Sequence, residues 1–411
     1  MTLPLSHEIK EHFSNLSEFV LKNTLAVSEG IFAARTTNLS IVKDKMGHIL
    51  GNTQSTLPES NYKFLTRFFL TSDLKKDPEG ILDSEKEGII KGLLCLSFCL
   101  MGKTKKLQYL TLDGTSWELG TKKIHILTLC VVINGMSIPI WWQDLDKKGI
   151  SSQDERIDFM KKALTLYNLK GMTLLADREY FGEDWFSFLT KNGIKFIIRL
   201  QKECYRAYID QFRDINPVTT ETKKHQKLSY SALQRQAYLP KYSHTGVGKF
   251  IEIQGHRYLF VIFRNPKIEN TEDPLIYFLS SLNKKGKIIK AYPIRWSIEC
   301  CFKHLKSNGF NLEDINMKNS LKIELMMAIL VFLYTLCIRQ GLLVYHNFKR
   351  NKRSDYKQFD KNKKPFQTLT VSVFRKGIAY LENLFYNLSS FLAFLNDIYI
   401  TKKIPTFIHV Q

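Results

Sequence analysis

Asp113 and Asp177 each follow a short apolar run. Tyr109-Leu110-Thr111-Leu112 leads into the first and Met172-Thr173-Leu174-Leu175-Ala176 into the second. Carboxylates just past the last apolar residues of neighbouring strands converge at one edge of a sheet, where like charges repel. Divalent cations relieve that repulsion, and Mg2+ prefers carboxylate oxygen and water. Two such ions about 3.5–4 Å apart can hold both the entering and the departing oxygen of a phosphodiester displacement. Each Asp also has a plainer use. Asp113-Gly114 is a hairpin-turn dipeptide, and Asp177 could cap the helix after it.

A third acid lies far along the chain. The stretch Tyr292-Pro293-Ile294-Arg295-Trp296-Ser297-Ile298-Glu299 runs into Cys300-Cys301-Phe302-Lys303-His304-Leu305-Lys306. Pro293 suits the first turn of a helix. Ile294, Ile298, Cys301 and Leu305 recur at helical offsets and make a stripe for burial. Tyr292, Arg295, Glu299 and Lys306 fall on another stripe, presenting a carboxylate flanked by two cations and a phenol. That suits a metal ligand beside a DNA backbone, with Arg gripping phosphate bidentately and Lys acting as a point charge. The plainer alternative is a surface ion pair between Arg295 and Glu299; the two aspartates tip the balance toward chemistry.

The elements that must position these residues read as a mixed α/β order. Tyr109–Leu112, Ile124–Ile133 and Ser137–Trp142 are strand-like, with Gly114, Gly120 and Gly135 at turns. A helix from Gln153 to Tyr167, a strand from Met172 to Ala176, a helix from Glu183 to Lys191 and a strand from Ile194 to Leu200 follow, with short connections. Residues 201–290 interrupt that order with 16 Lys and Arg against 8 Asp and Glu, and with strand signals at Phe250–Ile253, Tyr258–Arg264 and Leu275–Ser280. Helical periodicity returns at Pro293. Before all of this, residues 1–105 read as helical, with a helix over His7–Leu25, a short aromatic one over Tyr62–Leu70 and caps at Ser14, Ser17 and Ser28. Ala33–Gly51 carries Arg35, Lys43 and Lys45 and fits either a helix-turn-helix or an ordinary bundle.

Across 411 residues, 60 Lys and Arg against 39 Asp and Glu leave a formal charge of +21. That surplus points to a polyanionic partner, nucleic acid before membrane. A 44% hydrophobic content excludes wholesale disorder. The seven cysteines (Cys95, Cys99, Cys130, Cys204, Cys300, Cys301 and Cys337) lack zinc-knuckle spacing and suggest no disulfide framework, which fits a cytoplasmic, nucleoid-associated protein. The N-terminal ten residues lack a signal-peptide apolar core. The longest apolar run, Leu325 to Ile338, is shorter than the roughly 20 residues of a membrane span, and reads as a core helix.

Taken together, the spacing at Tyr292, Arg295, Glu299 and Lys306 resembles the signature of the insertion-sequence-four group of DDE transposases. Leu112-Asp113-Gly114-Thr115 resembles the first-Asp strand of that family. Ala176-Asp177-Arg178, with Tyr180-Phe181 and Gly193 to Leu200 downstream, resembles its second-Asp region, and Phe302 to Glu313 the stretch after its Glu. The resemblance implies a ribonuclease-H-like mixed sheet interrupted by a β-rich insertion, with helical regions at both ends. The implied division is a helical DNA-binding region over 1–105, a catalytic core over 106–200 and 291–345, a basic β-rich insertion over 201–290, and a helical region over 346–411. It also implies that Asp113, Asp177 and Glu299 bind two Mg2+ ions (or Mn2+), while Tyr292, Arg295 and Lys306 contact DNA. The implied partners are double-stranded DNA, as element ends and target, and a second copy in a synaptic homodimer.

Some positions depart from that pattern. Glu179 adds a carboxylate where many relatives have Gly. The insertion has no Trp, so Tyr258, Phe260 or Phe263 would have to stack any flipped base. Trp296 fits packing against the sheet better than stacking on DNA. Arg178 could orient Asp177, grip phosphate, or pair with Glu179 or Glu183. His125 and His304 suit either a place near a metal or a core position. The basic stretch from Asn347 to Lys364, with Lys349-Arg350-Asn351-Lys352-Arg353 at its start, reads as an exposed loop within reach of phosphate. The expected activity is cut-and-paste DNA transposition. A silent DNA-binding repressor or inhibitor derived from a transposase and a non-joining nuclease of the same fold are the rivals.

Overall fold

A computed structural model describes residues 6–13, 16–51, 57–70, 81–101, 107–211, 220–265, 274–350, 358–359, 365–366 and 371–399. In chain order the elements begin with α1 (His7–Glu11), α2 (Glu18–Ala34), α3 (Leu39–Ile49), α4 (Pro58–Phe68) and α5 (Ile81–Met101). Then come β1 (Tyr109–Leu119), β2 (Lys122–Ile133), β3 (Met136–Asp144), α6 (Gln153–Leu166), β4 (Thr173–Ala176), α7 (Glu183–Lys191) and β5 (Lys195–Leu200). Next are α8 (Arg206–Asp210), α9 (Thr220–His225), α10 (Tyr230–Ala237), β6 (Val247–Ile253), β7 (His256–Arg264), β8 (Leu275–Ser280) and α11 (Lys285–Ala291). A 3₁₀ turn (Tyr292–Arg295) leads into α12 (Trp296–Lys306), followed by α13 (Ser320–Arg350). Two short strands, β9 (Gln358–Phe359) and β10 (Pro365–Phe366), then α14 (Val373–Glu382) and α15 (Leu388–Tyr399), follow among the described residues.

These elements fall into two compact units. The first, a sheet unit, takes residues 107–116 and 125–299. Among the described residues, eight strands form its sheet in the order β3-β2-β1-β4-β5-β8-β7-β6. Parallel pairs β1–β4 and β4–β5 occupy the centre, with antiparallel β2–β3 on one side and β8, β7 and β6 on the other. Three meandering strands followed by two parallel ones, joined by α6 and α7, is a ribonuclease-H-like order. Central parallel strands are covered on both faces; every residue of β4 is buried. One face carries a core of Leu175, Ile197, Leu259, Val261 and Phe278, against which Ile288 and Ala291 of α11 and then Tyr292 and Ile294 pack.

Residues 201–290 are not purely β. Their strands extend the central sheet through β5–β8 pairing, and α8, α9 and α10 precede them. Polar short helices such as Thr220–His225 lack an apolar period, which hid them from sequence reading. A buried lysine ties this part down: Lys249 on β6 donates its Nζ to the carbonyl of Leu228 at 3.0 Å and to that of Ile209.

The helical unit gathers α1–α5, α13–α15, the β1–β2 hairpin tip (117–124) and the described residues from Cys300 onward. The single helix expected over His7–Leu25 is two, because Ser17 caps a new start by accepting from the Val20 N–H at 3.3 Å. Arg35, left-handed at φ 57°, ends α2 and turns the chain into α3, so Ala33–Gly51 holds the end of one helix, a short turn and the whole of the next. Ser320–Tyr345 is long and apolar enough to cross a membrane, yet 83% of its most apolar stretch is buried inside the protein. It is the core helix. It also runs through Arg350, so the basic stretch begins inside a helix instead of a loop; residues 351–357 and 360–364 lie outside the described residues.

Candidate active site

β1 and β4 run parallel with Leu112 opposite Ala176. Asp113 and Asp177 come next after this last pair and continue its row, Asp177 just beyond the end of β4, and the Asp177 charge acts on Asp113. Residues in register across adjacent strands project to the same face. Where the sequence suggests a strand ending at Asp113, β1 continues to Leu119, and Asp113 sits where the shorter β4 stops pairing. The hairpin reading of Asp113-Gly114 therefore fails: the chain turns at Gly120, φ +60°, between β1 and β2. Asp177 is no helix cap either, since α7 starts at Glu183 behind Gly182.

The 3₁₀ turn and the start of α12 lie over this row. Tyr292 donates its hydroxyl to Asp177 Oδ1 at 3.3 Å, and its ring sits 4.7 Å from that of Phe278 on β8. Arg295 donates Nη1 to Asp113 Oδ2 at 3.4 Å and Nη2 to Glu299 Oε1. The arginine thus links a strand acid to a helix acid, and Tyr292 fastens the other strand acid to the same turn. A chain of hydroxyls holds the helix in place: Ser297 Oγ donates to the Ile294 carbonyl at 2.7 Å and meets Ser137 Oγ at 2.6 Å. Ser137 in turn meets Thr111 Oγ1 at 2.9 Å. Sequence reasoning missed these three residues; their only signal was a hydroxyl in an otherwise apolar run.

Burial pushes the Asp113 carboxyl up to about 7; Arg295 and the Gly114 N–H pull it back, and the charges of Glu179 and Asp177 push it further. Glu179, the carboxylate without an expected role, therefore acts on the same acid as Asp177. Tyr292 is raised by burial and by Asp177. His125 packs on Gly114 and bonds Ser116 Oγ through Nδ1 at 2.6 Å; burial lowers its imidazole.

The other expected residues are placed differently. Arg295 is only 8% exposed and committed to carboxylates, where an open phosphate grip was expected. The stripe from Tyr292 to Lys306 is not one helical face, because its first turn is 3₁₀, with three residues per turn. Lys306 belongs to the helical unit, where it pairs with Glu313 at 2.6 Å and lies over the Trp117 ring. Trp296, expected against the sheet, is 61% exposed, since its neighbours Arg295 and Ile298 take the inward directions. Arg178 is exposed and makes no ion pair with Glu179 or Glu183. Tyr258 and Phe260, expected as stacking platforms, are buried in the sheet unit. His304 is half-buried in the helical unit, stacked on Phe374 at 4.4 Å.

A divalent cation fits the chemistry of this donor set. Asp113, Asp177 and Glu299 offer hard oxygens, and the desolvated, negatively surrounded Asp113 calls for positive charge. Arg295 supplies that charge between Asp113 and Glu299; among the described residues no three acidic, His or Cys side chains converge tightly enough to share one ion.

Comparison with known proteins adds the family. Among solved structures, the cryo-EM structure of a piggyBac transposase synaptic complex with hairpin DNA is similar at 11% identity and a TM-score of 0.44, covering 93% of this chain and 76% of that one. No curated protein matches. The family model of the transposase DDE domain matches residues 105–336, a span of more than half the chain that contains Asp113, Asp177 and Glu299. The protein belongs to the transposase DDE domain family.

Proposed function

We propose that this protein is a cut-and-paste DNA transposase of the insertion-sequence-four group, acting in the cytoplasm as a homodimer on the two ends of its own mobile element. The observation that carries the reading is the shared row of Asp113 and Asp177 on β1 and β4, with Glu299 drawn to it through Arg295. Asp113, Asp177 and Glu299 would hold Mg2+ (or Mn2+), which when bound activates water and stabilises the departing 3′-oxygen. Hydrolysis at the element end breaks one P–O bond and leaves a 3′-hydroxyl. That hydroxyl attacks a target phosphodiester in line, forming a new P–O bond while the target's own 3′-oxygen departs. Tyr292 and Arg295 hold the carboxylates until DNA and cation arrive. Arg295, Tyr292 and Arg178 then bind phosphate near the cut, and Lys306 of the helical unit binds DNA phosphate as well.

Asp113→Asn is the direct test, on a plasmid carrying the gene with its native flanks. The variant should bind that DNA as the wild type does and lose Mg2+-dependent nicking. Full cleavage by the variant would discard the assignment. Wild-type binding without strand cleavage would favour the silent repressor, and cleavage without joined products the non-joining nuclease.

A further inference from the structure

The row that contains the two aspartates extends onto a third strand. β5 pairs with β4 in parallel, with Ile198 opposite Ala176 as the last pair; Arg199 is the next residue on β5 and Asp177 the next after β4, and the charges of both act on Tyr292. On its other side Arg199 pairs with Phe278 of β8. Tyr292 spans this interval, with its ring on Phe278 and its hydroxyl on Asp177, so Arg199 lies on the same face between the two points that Tyr292 touches.

Two cations therefore serve this face, and they differ in what they hold. Arg295 is committed to Asp113 and Glu299 and is nearly buried. Arg199 is partly exposed on a strand otherwise buried from Phe196 to Leu200, and among the described residues its side chain makes no ion pair or hydrogen bond. A guanidinium left without a carboxylate beside an acidic row is matched by an anion from outside. Its planar fork fits the two non-bridging oxygens of a phosphodiester.

We propose that Arg199 is a DNA-binding residue of the active site, gripping a backbone phosphate next to the one being cut and keeping the strand in line with Asp177. This rests on the transposase reading above, and it moves the first phosphate grip from Arg295 to Arg199. The negative DNA strand then meets the acidic row at a point where positive charge is already fixed and uncommitted.

The test compares wild type, Arg199→Ala, Arg199→Lys and Asp113→Asn on the plasmid with native flanks and on short duplexes cut from it. Arg199→Ala should slow Mg2+-dependent nicking by roughly tenfold or more. It should also reduce the slope of log K against log salt by about one. Arg199→Lys should restore the slope and only part of the rate, because an ammonium keeps the charge and loses the fork. Asp113→Asn should lose nicking with its salt slope intact. Thermal melting identical to wild type identifies the Arg199 variants as folded, and a lowered melting point in both would overturn the binding role in favour of a structural one. An Arg199→Ala protein that nicks at the wild-type rate with an unchanged slope would overturn the proposal and leave the transposase reading standing. A wild type that never nicks would overturn that reading, and this proposal with it.

Discussion

Arg295 and Asp113 illustrate how closely charge is balanced at single residues. Folding raises the Asp113 carboxyl from 3.8 to about 7, mainly through burial, so the folded protein keeps a proton that the unfolded chain has released. Between roughly pH 4 and pH 7 this group must therefore make stability fall as pH rises, with no further loss above pH 7. Asp113→Asn removes the effect: the wild-type melting temperature should drop relative to the variant across that window, and a constant difference would contradict it. Mg2+ at pH 8 should raise the wild-type melting temperature and leave Asp113→Asn nearly unchanged, as mass action requires of a cation bound only by the folded state. Arg295→Ala leaves two carboxylates without their guanidinium. The cost should be about 2 kcal/mol in urea unfolding at pH 8, below the usual range for a buried pair because the Glu299 side chain is 32% exposed, and smaller at pH 5, where Asp113 is protonated.

At the scale of elements, α12 is held over the sheet by side chains that do no chemistry themselves. The Thr111–Ser137–Ser297 hydroxyls link β1, β3 and α12 at 2.9 and 2.6 Å. Ser297→Ala should cost about 1 kcal/mol of stability and lower nicking while DNA affinity stays constant, a split read by comparing single-turnover rates with binding curves. Gly114 plays a similar part on β1, where an added Cβ would lie 2.6 Å from His125 Cε1 and 2.7 Å from Nε2. In the helical unit, α14 meets α13 backbone to backbone: a Cβ on Gly377 would come within 1.7 Å of the Cys337 carbonyl. Gly377→Ala must push these helices apart, and thermal unfolding should show a loss of ~1–3 kcal/mol.

For the whole molecule, a formal charge of +21 sets the long-range behaviour. Binding to a random-sequence duplex should weaken linearly in log K as log salt rises, measured by fluorescence anisotropy. An affinity indifferent to salt would mean that the surplus charge serves something other than a phosphate backbone. Subtracting that background is what allows a single residue such as Arg199 to be seen in the slope.

Periodicity and side-chain type were enough to place most strands and helices that carry the acids, because alternation and helical offsets are local properties of the chain. α7 begins and ends where the sequence places it, at Glu183 and Lys191, and β4 differs by one residue. Asp113, Asp177 and Glu299 were legible as candidates for the same reason, since each stands at a boundary of an apolar pattern. What tertiary structure alone decided is pairing. Only the register of β1, β4 and β5 lines up Asp113, Asp177 and Arg199, and only the fold of the 3₁₀ turn onto that row commits Arg295 to carboxylates and leaves Trp296 in solvent. Local sequence carries no trace of which distant strand lies alongside, because register is set by the summed burial of whole faces and not by any residue within the pair.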